Sequence, residues 1–276
     1  MSQRILVTAA AGRVGRQVTA QLAQLGAEVH ALTRRPADFP SGVVAVRGDL
    51  SVPDSLRTAM DGMTAVFLVW PFASADGLEE VVALIAEQAR RVVYLSSVAV
   101  RDHERQAEHL IRQYGLESTV LRPHAFAANA LRWAGKIRAE GVVAEPYGQA
   151  AMAPVHEKDI AAVAVRSLIQ EGPGGAVYEL TGPQSLTQAE QVSIIGEVTG
   201  IPVRWHEESP DEARLRMTAR GWPPAAVDEI LRAQAAMTTG PARVTSTVAE
   251  VTGTPARTFR SWVVEHADAF RTPASL

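Results

Sequence analysis

The 276-residue chain contains no cysteine, which excludes thiol nucleophiles, cysteine-ligated zinc, iron–sulfur clusters and disulfide staples. Lysine occurs only at Lys136 and Lys158, and aromatic residues make up just 5%. No apolar run approaches the roughly 20 residues of a membrane helix; the best, such as Val92-Val93-Tyr94-Leu95, are strand-length, so no membrane span is expected. Charge of one sign is also scarce. The 27 basic and 30 acidic residues leave −3, which gives no electrostatic claim on nucleic acid or an anionic surface. The seven histidines are scattered with no i, i+4 pair, so no metal site is expected. Met1 to Arg4 lead into a short apolar run without a secretory pattern, and a cytoplasmic protein is the expectation.

What is present is an alternation. Ile5-Leu6-Val7 precedes a glycine-bearing turn and then Val14, Val18, Leu22 and Leu25 at helical spacing, with Gly26 closing the helix. Strands follow at Glu28 to Thr33, Val43 to Arg47, Ala65 to Trp70, Val92 to Ser96 and Ser118 to Leu121, with helices near Pro53 to Met60, Gly77 to Ala89 and Asp102 to Tyr114. Parallel neighbours need such crossovers, so the expected fold is α/β, a doubly wound parallel sheet of the Rossmann type. Beyond Pro123 the pattern breaks into a helix over Ala125 to Ala139. Ala153 to Val155, a helix Lys158 to Gln170 and a strand Ala176 to Leu180 then read as a return to the sheet. Helices at Thr187 to Thr199, Asp211 to Arg220, Pro223 to Met237 and Pro255 to Ala267 predict a smaller, mainly helical lobe. The expected division is 1–123 with 153–183 as the dinucleotide-binding domain, and 124–152 with 184–276 as a substrate or partner lobe.

The turn Thr8-Ala9-Ala10-Ala11-Gly12-Arg13-Val14-Gly15 joins the first strand to the first helix, where a pyrophosphate rests on free amides at a helix N-terminus. Gly12 allows close backbone approach and Gly15 allows helix to pack on strand, so Thr8, Ala11, Gly12, Arg13, Val14 and Gly15 are cofactor-binding candidates. A carboxylate after the second strand would select NAD; this chain has Thr33-Arg34-Arg35-Pro36 instead. Arg34 and Arg35 suit a 2′-phosphate, which favours NADP(H) over NAD(H), the alternative being that they only solvate a loop.

These segments, with Gly48-Asp49-Leu50, Val93-Tyr94-Leu95-Ser96-Ser97, Thr119-Val120-Leu121-Arg122-Pro123 and Tyr178-Glu179-Leu180-Thr181-Gly182-Pro183, resemble the NmrA-like branch of atypical short-chain dehydrogenases/reductases in order and spacing. The resemblance implies that Asp49 and Leu50 meet the adenine. It further implies that Val69, Trp70 and Pro71 flank the cofactor, that Ser96 and Ser97 lie under the nicotinamide end, and that Pro123, His124, Ala125 and Phe126 cover it. That family usually has glycine where this chain has Ala9, whose methyl restricts φ and would crowd the adenosine side.

The superfamily's acid is a tyrosine four residues before a lysine. Four residues after Tyr94, Tyr114, Tyr147 and Tyr178 stand Val98, Ser118, Ala151 and Gly182, so the pair is absent. His124 and His103 are the candidate catalytic residues as near-neutral proton donors, each with packing as the alternative, and Asn129 is read as a ligand-orienting residue or a helix cap. His109 and Glu108 sit on a helix expected to be solvated and receive no role. A Gly-x-Ser-x-Gly elbow is also missing. Trp133, Trp205, Trp222 and Phe126 could line a pocket for a flat ring, or be core. The reading is an NADPH-dependent oxidoreductase acting on a quinone-like or conjugated carbonyl substrate. Its alternatives are an NAD(P)-sensing regulator and a tailoring enzyme of aromatic natural-product assembly. The sequence does not fix the oligomeric state, and a homodimer is one assembly open to it.

Overall fold

The computed structural model describes residues 3–170 and 174–271. By their contacts the described residues divide into two units, the first comprising 3–124, 157–170, 174–180 and 247–255, the second 125–156, 181–246 and 256–271.

The first unit is built on seven parallel strands in the order β3-β2-β1-β4-β5-β6-β9: β1 Arg4–Val7, β2 Glu28–Thr33, β3 Val43–Arg47, β4 Ala65–Val69, β5 Arg91–Leu95, β6 Glu117–Pro123 and β9 Ala176–Leu180. Chain order reverses between β1 and β4, the switch point where open α/β sheets take ligands at the strands' carboxyl ends. The β4 and β5 residues are apolar almost throughout because helices cover both faces. Crossovers are α1 Arg13–Gln24, a 3₁₀ turn running into α2 Arg57–Met60, α3 Leu78–Gln88, α4 Asp102–Gln113 and α6 Glu157–Ile169. Helix α1 buries Val14, Gly15, Val18 and Leu22 and packs against α6. Its end is a Schellman turn: the Gly26 amide donates to Ala23 and the Ala27 amide to Leu22, with Gly26 at φ +74°.

The second unit contains a 3₁₀ segment Ala127–Trp133, α5 Ala134–Glu140, α7 Gln188–Thr199, α8 Pro210–Ala219, α9 Pro224–Ala236, α11 Phe259–Glu265 and α12 Ala267–Phe270. Two short sheets complete it, β7 Val142–Glu145 parallel to β11 Arg204–Glu207, and β8 Ala151–Met152 antiparallel to β10 Leu186–Thr187. Its core gathers Trp133, Val192, Ile195, Phe259, Trp262 and Phe270.

Three sequence expectations change. Ala153–Val155 does not rejoin the sheet; Val155 bridges Phe126 instead, within the second unit. The helix expected from Ala125 to Ala139 is split, because its first half winds with i→i+3 bonds such as Asn129 N–H to the Phe126 carbonyl. A short helix, α10 Thr247–Thr252, was not foreseen and packs on α6 and β9.

Candidate functional site

The glycine turn is held from below by Thr8. Its hydroxyl donates to the Phe67 carbonyl at 3.1 Å and accepts the Val69 amide at 2.8 Å, tying β1 to β4 at the switch point. Thr8 therefore shapes the turn and has its hydroxyl committed to the sheet. Ala9 adopts φ +47°, a left-handed conformation that costs an alanine what a glycine would take freely. The conformation aims the Ala9 carbonyl into the turn, where it accepts the Gly12 amide at 2.8 Å. A β-carbon on Gly12 would lie 3.0 Å from that oxygen. Gly12 is the N-cap of α1 without side-chain capping, and the first intrahelical bond runs from the Arg16 amide to the Gly12 carbonyl. The first-turn amides of Arg13, Val14 and Gly15 are thus left at the helix end for an anion.

Beside this turn opens a cleft of about 350 Å³ lined by Ala9, Ala11, Leu32, Thr33, Arg34, Arg35, Gly48, Asp49, Leu50, Pro71 and Phe72. Five expected binding residues meet there: Ala11, Arg34, Arg35, Asp49 and Leu50. The Thr33 hydroxyl donates to the Arg35 carbonyl at 2.6 Å, which fixes the bend carrying the two arginines, both exposed. Among the described residues neither forms an ion pair. Asp49 is held by the Ser51 amide at 2.9 Å and the Ser51 hydroxyl at 2.8 Å. Those bonds, with the Arg34 charge, hold its carboxyl below the usual aspartate value, so it is an acceptor at neutral pH. Trp70 differs from expectation. Its indole N–H donates to the Ser74 carbonyl at 2.7 Å and its ring lies in the core, edge-on to Phe72, so Phe72 is the aromatic wall.

At the carboxyl ends of β5 and β6 the structure reveals a network that the sequence reading passed over. Glu108, taken as solvated, is 3% exposed. It accepts the Ser96 hydroxyl at 2.8 Å and pairs with Arg122 through two bonds, 3.1 Å from Nε and 2.6 Å from Nη2. One helical turn earlier, Glu104 accepts the Ser97 hydroxyl at 2.7 Å and the Arg101 amide at 2.7 Å. Burial and these two glutamates push the Tyr94 phenol far above its ordinary value, so it stays neutral. The signal was Arg122 itself, a cation inside the apolar strand segment Thr119-Val120-Leu121, which needs a carboxylate partner. His109 is exposed, as expected.

The expected histidines are placed differently from one another. His103 is 9% exposed on the buried face of α4 beside Glu104 and Ala107, not in an open mouth. His124 follows Pro123 at the end of β6, its amide donating to the Leu180 carbonyl and its Nε2 3.8 Å from Glu179. Phe126 lies in the second unit, as do Trp133, 1% exposed and packed edge-on to Trp205, and Trp222, half exposed. No group of three metal-ligating side chains occurs among the described residues, and no described helix is long and apolar enough to cross a membrane.

Residues 9–171, from the glycine turn to the end of α6, match a sequence family described as NAD(P)H-binding. The chain belongs to that family. Within the NAD(P)H-binding family it is 39% identical over 279 residues to a (4-alkanoyl-5-oxo-2,5-dihydrofuran-3-yl)methyl phosphate reductase of Streptomyces griseus, covering 96% of this chain and 99% of the relative. An NAD(P)H azoreductase of Xenophilus azovorans is 30% identical with the same coverage of both chains. Among solved structures, an Escherichia coli NADPH-dependent quinone oxidoreductase complexed with NADPH shares the fold, with a TM-score of 0.80 at 21% identity over 95% of this chain and 99% of that one. The protein is an NAD(P)H-dependent oxidoreductase with NAD(P)H as its cofactor. The cleft offers groups that could hold the adenosine half of such a dinucleotide: an apolar wall at Leu32 and Leu50, an ionised acceptor at Asp49 and two guanidinium groups at the rim without an ion pair among the described residues, with the first-turn amides of α1 beside it.

Proposed function

We propose that this oxidoreductase prefers NADPH and reduces a flat, electron-poor acceptor, a conjugated carbonyl or quinone, without a Tyr-x-x-x-Lys pair. The observation that carries the cofactor preference is the pair Arg34 and Arg35 at the cleft rim, neither in an ion pair among the described residues, which supports a contact to the ribose 2′-phosphate of NADPH. The Arg13-to-Gly15 amides hold the pyrophosphate, and Asp49 with Leu50 holds the adenine. When bound, the reduced nicotinamide supplies a hydride.

A conjugated acceptor suits the rest of the site. Hydride adds to its electron-poor β-carbon, the carbon–carbon π pair shifts to join the α-carbon to the carbonyl carbon, the carbonyl π pair moves onto oxygen, and one proton completes the product. The anion is delocalised, so it needs no strong acid. That matches a chain whose Ser96 and Ser97 hydroxyls already donate to Glu108 and Glu104 and therefore have no proton to offer an oxyanion. We assign the proton to solvent, relayed through His124. His103 is the weaker candidate because it is nearly enclosed. The named substrate of the Streptomyces griseus relative, a dihydrofuranone bearing an alkanoyl group and a methyl phosphate, supports a conjugated lactone as the acceptor class.

The test follows the loss of reduced-nicotinamide absorbance with NADPH and NADH across quinones, azo dyes and acylated unsaturated lactones. Turnover is expected with NADPH favoured by about tenfold or more in kcat/KM. Tight NADPH binding without turnover on any acceptor would overturn the reading.

A further inference from the structure

In the second unit the 3₁₀ segment Ala127–Trp133 buries Ala127, Ala128, Ala130 and Trp133, and exposes Asn129 and Arg132. Positions three apart eclipse in such a helix, so Asn129 and Arg132 follow one edge, an amide and a guanidinium, with the Phe126 ring at the extended N-cap that precedes it. Arg132 is held in place. Its Nη2 donates to the Gln188 side-chain oxygen, and its guanidinium lies 4.7 Å from the centre of the Trp133 ring. Both supports are rigid: Gln188 is fully buried, with its amide nitrogen donating to the Tyr147 carbonyl at 3.0 Å and to the Pro146 carbonyl at 3.3 Å, and Trp133 is 1% exposed.

Arg132 forms no ion pair among the described residues. The carboxylate with an electrostatic influence on it, Glu145, is already taken by Lys136 at 2.7 Å and Arg216 at 3.3 Å, and Arg216 also holds Glu208 at 2.6 Å. Three cations therefore share two carboxylates, leaving one positive charge over. Desolvation lowers the pKa of the Arg132 guanidinium against the opposing pull of Glu145.

We propose that Phe126, Asn129 and Arg132 form the substrate-anion subsite, taking a phosphomonoester carried on a flat ring. Arg132 binds the phosphoryl oxygens through its free N–H groups, Asn129 donates its amide, and Phe126 meets the ring face. The proposal rests on the reductase reading above and names the substrate class of that enzyme: a phosphorylated conjugated ring.

Full-length protein saturated with NADPH is titrated calorimetrically with phenyl phosphate, phenol and benzoate. Phenyl phosphate is expected to bind with phenol undetected, Arg132→Gln to weaken it about tenfold or more, and Arg132→Lys to retain part, since a point charge lacks the planar fork. Thermal melts of both variants check folding. In turnover, the wild-type preference for a phosphorylated acceptor over its alcohol, read as a KM ratio, should fall toward one in Arg132→Gln. Benzoate binding as tightly as phenyl phosphate, or phenyl phosphate binding indifferent to Arg132, would overturn the proposal. Arg132-dependent phenyl phosphate binding without turnover of any acceptor would instead remove the reductase reading and leave the anion site standing.

Discussion

The Ala9 carbonyl oxygen lies 2.3 Å from the position a β-carbon would take on Gly15, closer than any real side chain allows. The left-handed Ala9 and the glycine are thus one device, in which the carbonyl turned inward by the first requires the absence of a side chain at the second. Gly15→Ala should destabilise the protein by about 1–3 kcal/mol, because backbone rather than a flexible side chain must shift, and NADPH binding should weaken with it. Urea unfolding and a nucleotide titration measure both. Equal stability of the variant would mean that the turn has slack it does not show.

Ala9→Gly should act in the opposite direction. Removing the β-carbon relieves the positive φ, against some gain of freedom in the unfolded chain, for a net stabilisation of about 0.5–1 kcal/mol. A thermal melt that moves down instead of up would assign the Ala9 methyl a packing role in the cleft it lines.

Arg34→Ala should weaken NADPH by about 1–3 kcal/mol while sparing NADH, since only the former carries the 2′-phosphate. Isothermal titrations with both nucleotides decide it, and equal losses would remove the phosphate contact.

The Ser96–Glu108–Arg122 contact predicts a marked asymmetry between deletions. Glu108→Ala strands Arg122 near the sheet and should cost about 3 kcal/mol, whereas replacing both charges with apolar residues should cost less than the two single changes summed. A double-mutant cycle in urea reads the coupling, and simple additivity would show that the pair is not coupled.

Asp49 predicts a pH dependence at the acid end. Its carboxyl lies below the ordinary 3.8 in the folded chain, so the unfolded state takes up protons first and the stability from this group is present above 3.8. It is lost as pH falls through the folded value. Ser51→Ala removes the hydroxyl, one of the two leading causes of the depression, and should move the Asp49 titration upward in a carboxyl-carbon NMR experiment. An unmoved curve would leave the backbone amide and Arg34 as the whole cause.

Much of the first unit was legible because βα periodicity is local: apolar runs of strand length, helical spacing between them, and glycines at the bends. The cleft beside the glycine turn was legible for the same reason, since Gly12, Gly15, Arg34, Arg35 and Asp49 all follow the ends of consecutive strands. Trp70 and Phe72 were not separable in sequence. Which of two aromatics faces the cleft depends on the Ser74 carbonyl, which takes the indole N–H and turns the larger ring inward.

The sequence by itself determined the winding of the sheet, the missing tyrosine–lysine pair and the place of the glycine turn, because each rests on residues close together in the chain. Tertiary structure decided the fate of the polar face of α4. Glu104 and Glu108 sit one turn apart on a helix that reads as solvated, and burial becomes affordable only when Ser96, Ser97 and Arg122, from two different strands, arrive to satisfy them. The same holds for Arg132, which has no ion pair among the described residues while Lys136 and Arg216 hold Glu145. Long-range pairing of charge has no period in the sequence, and only the folded chain shows which cation is left over.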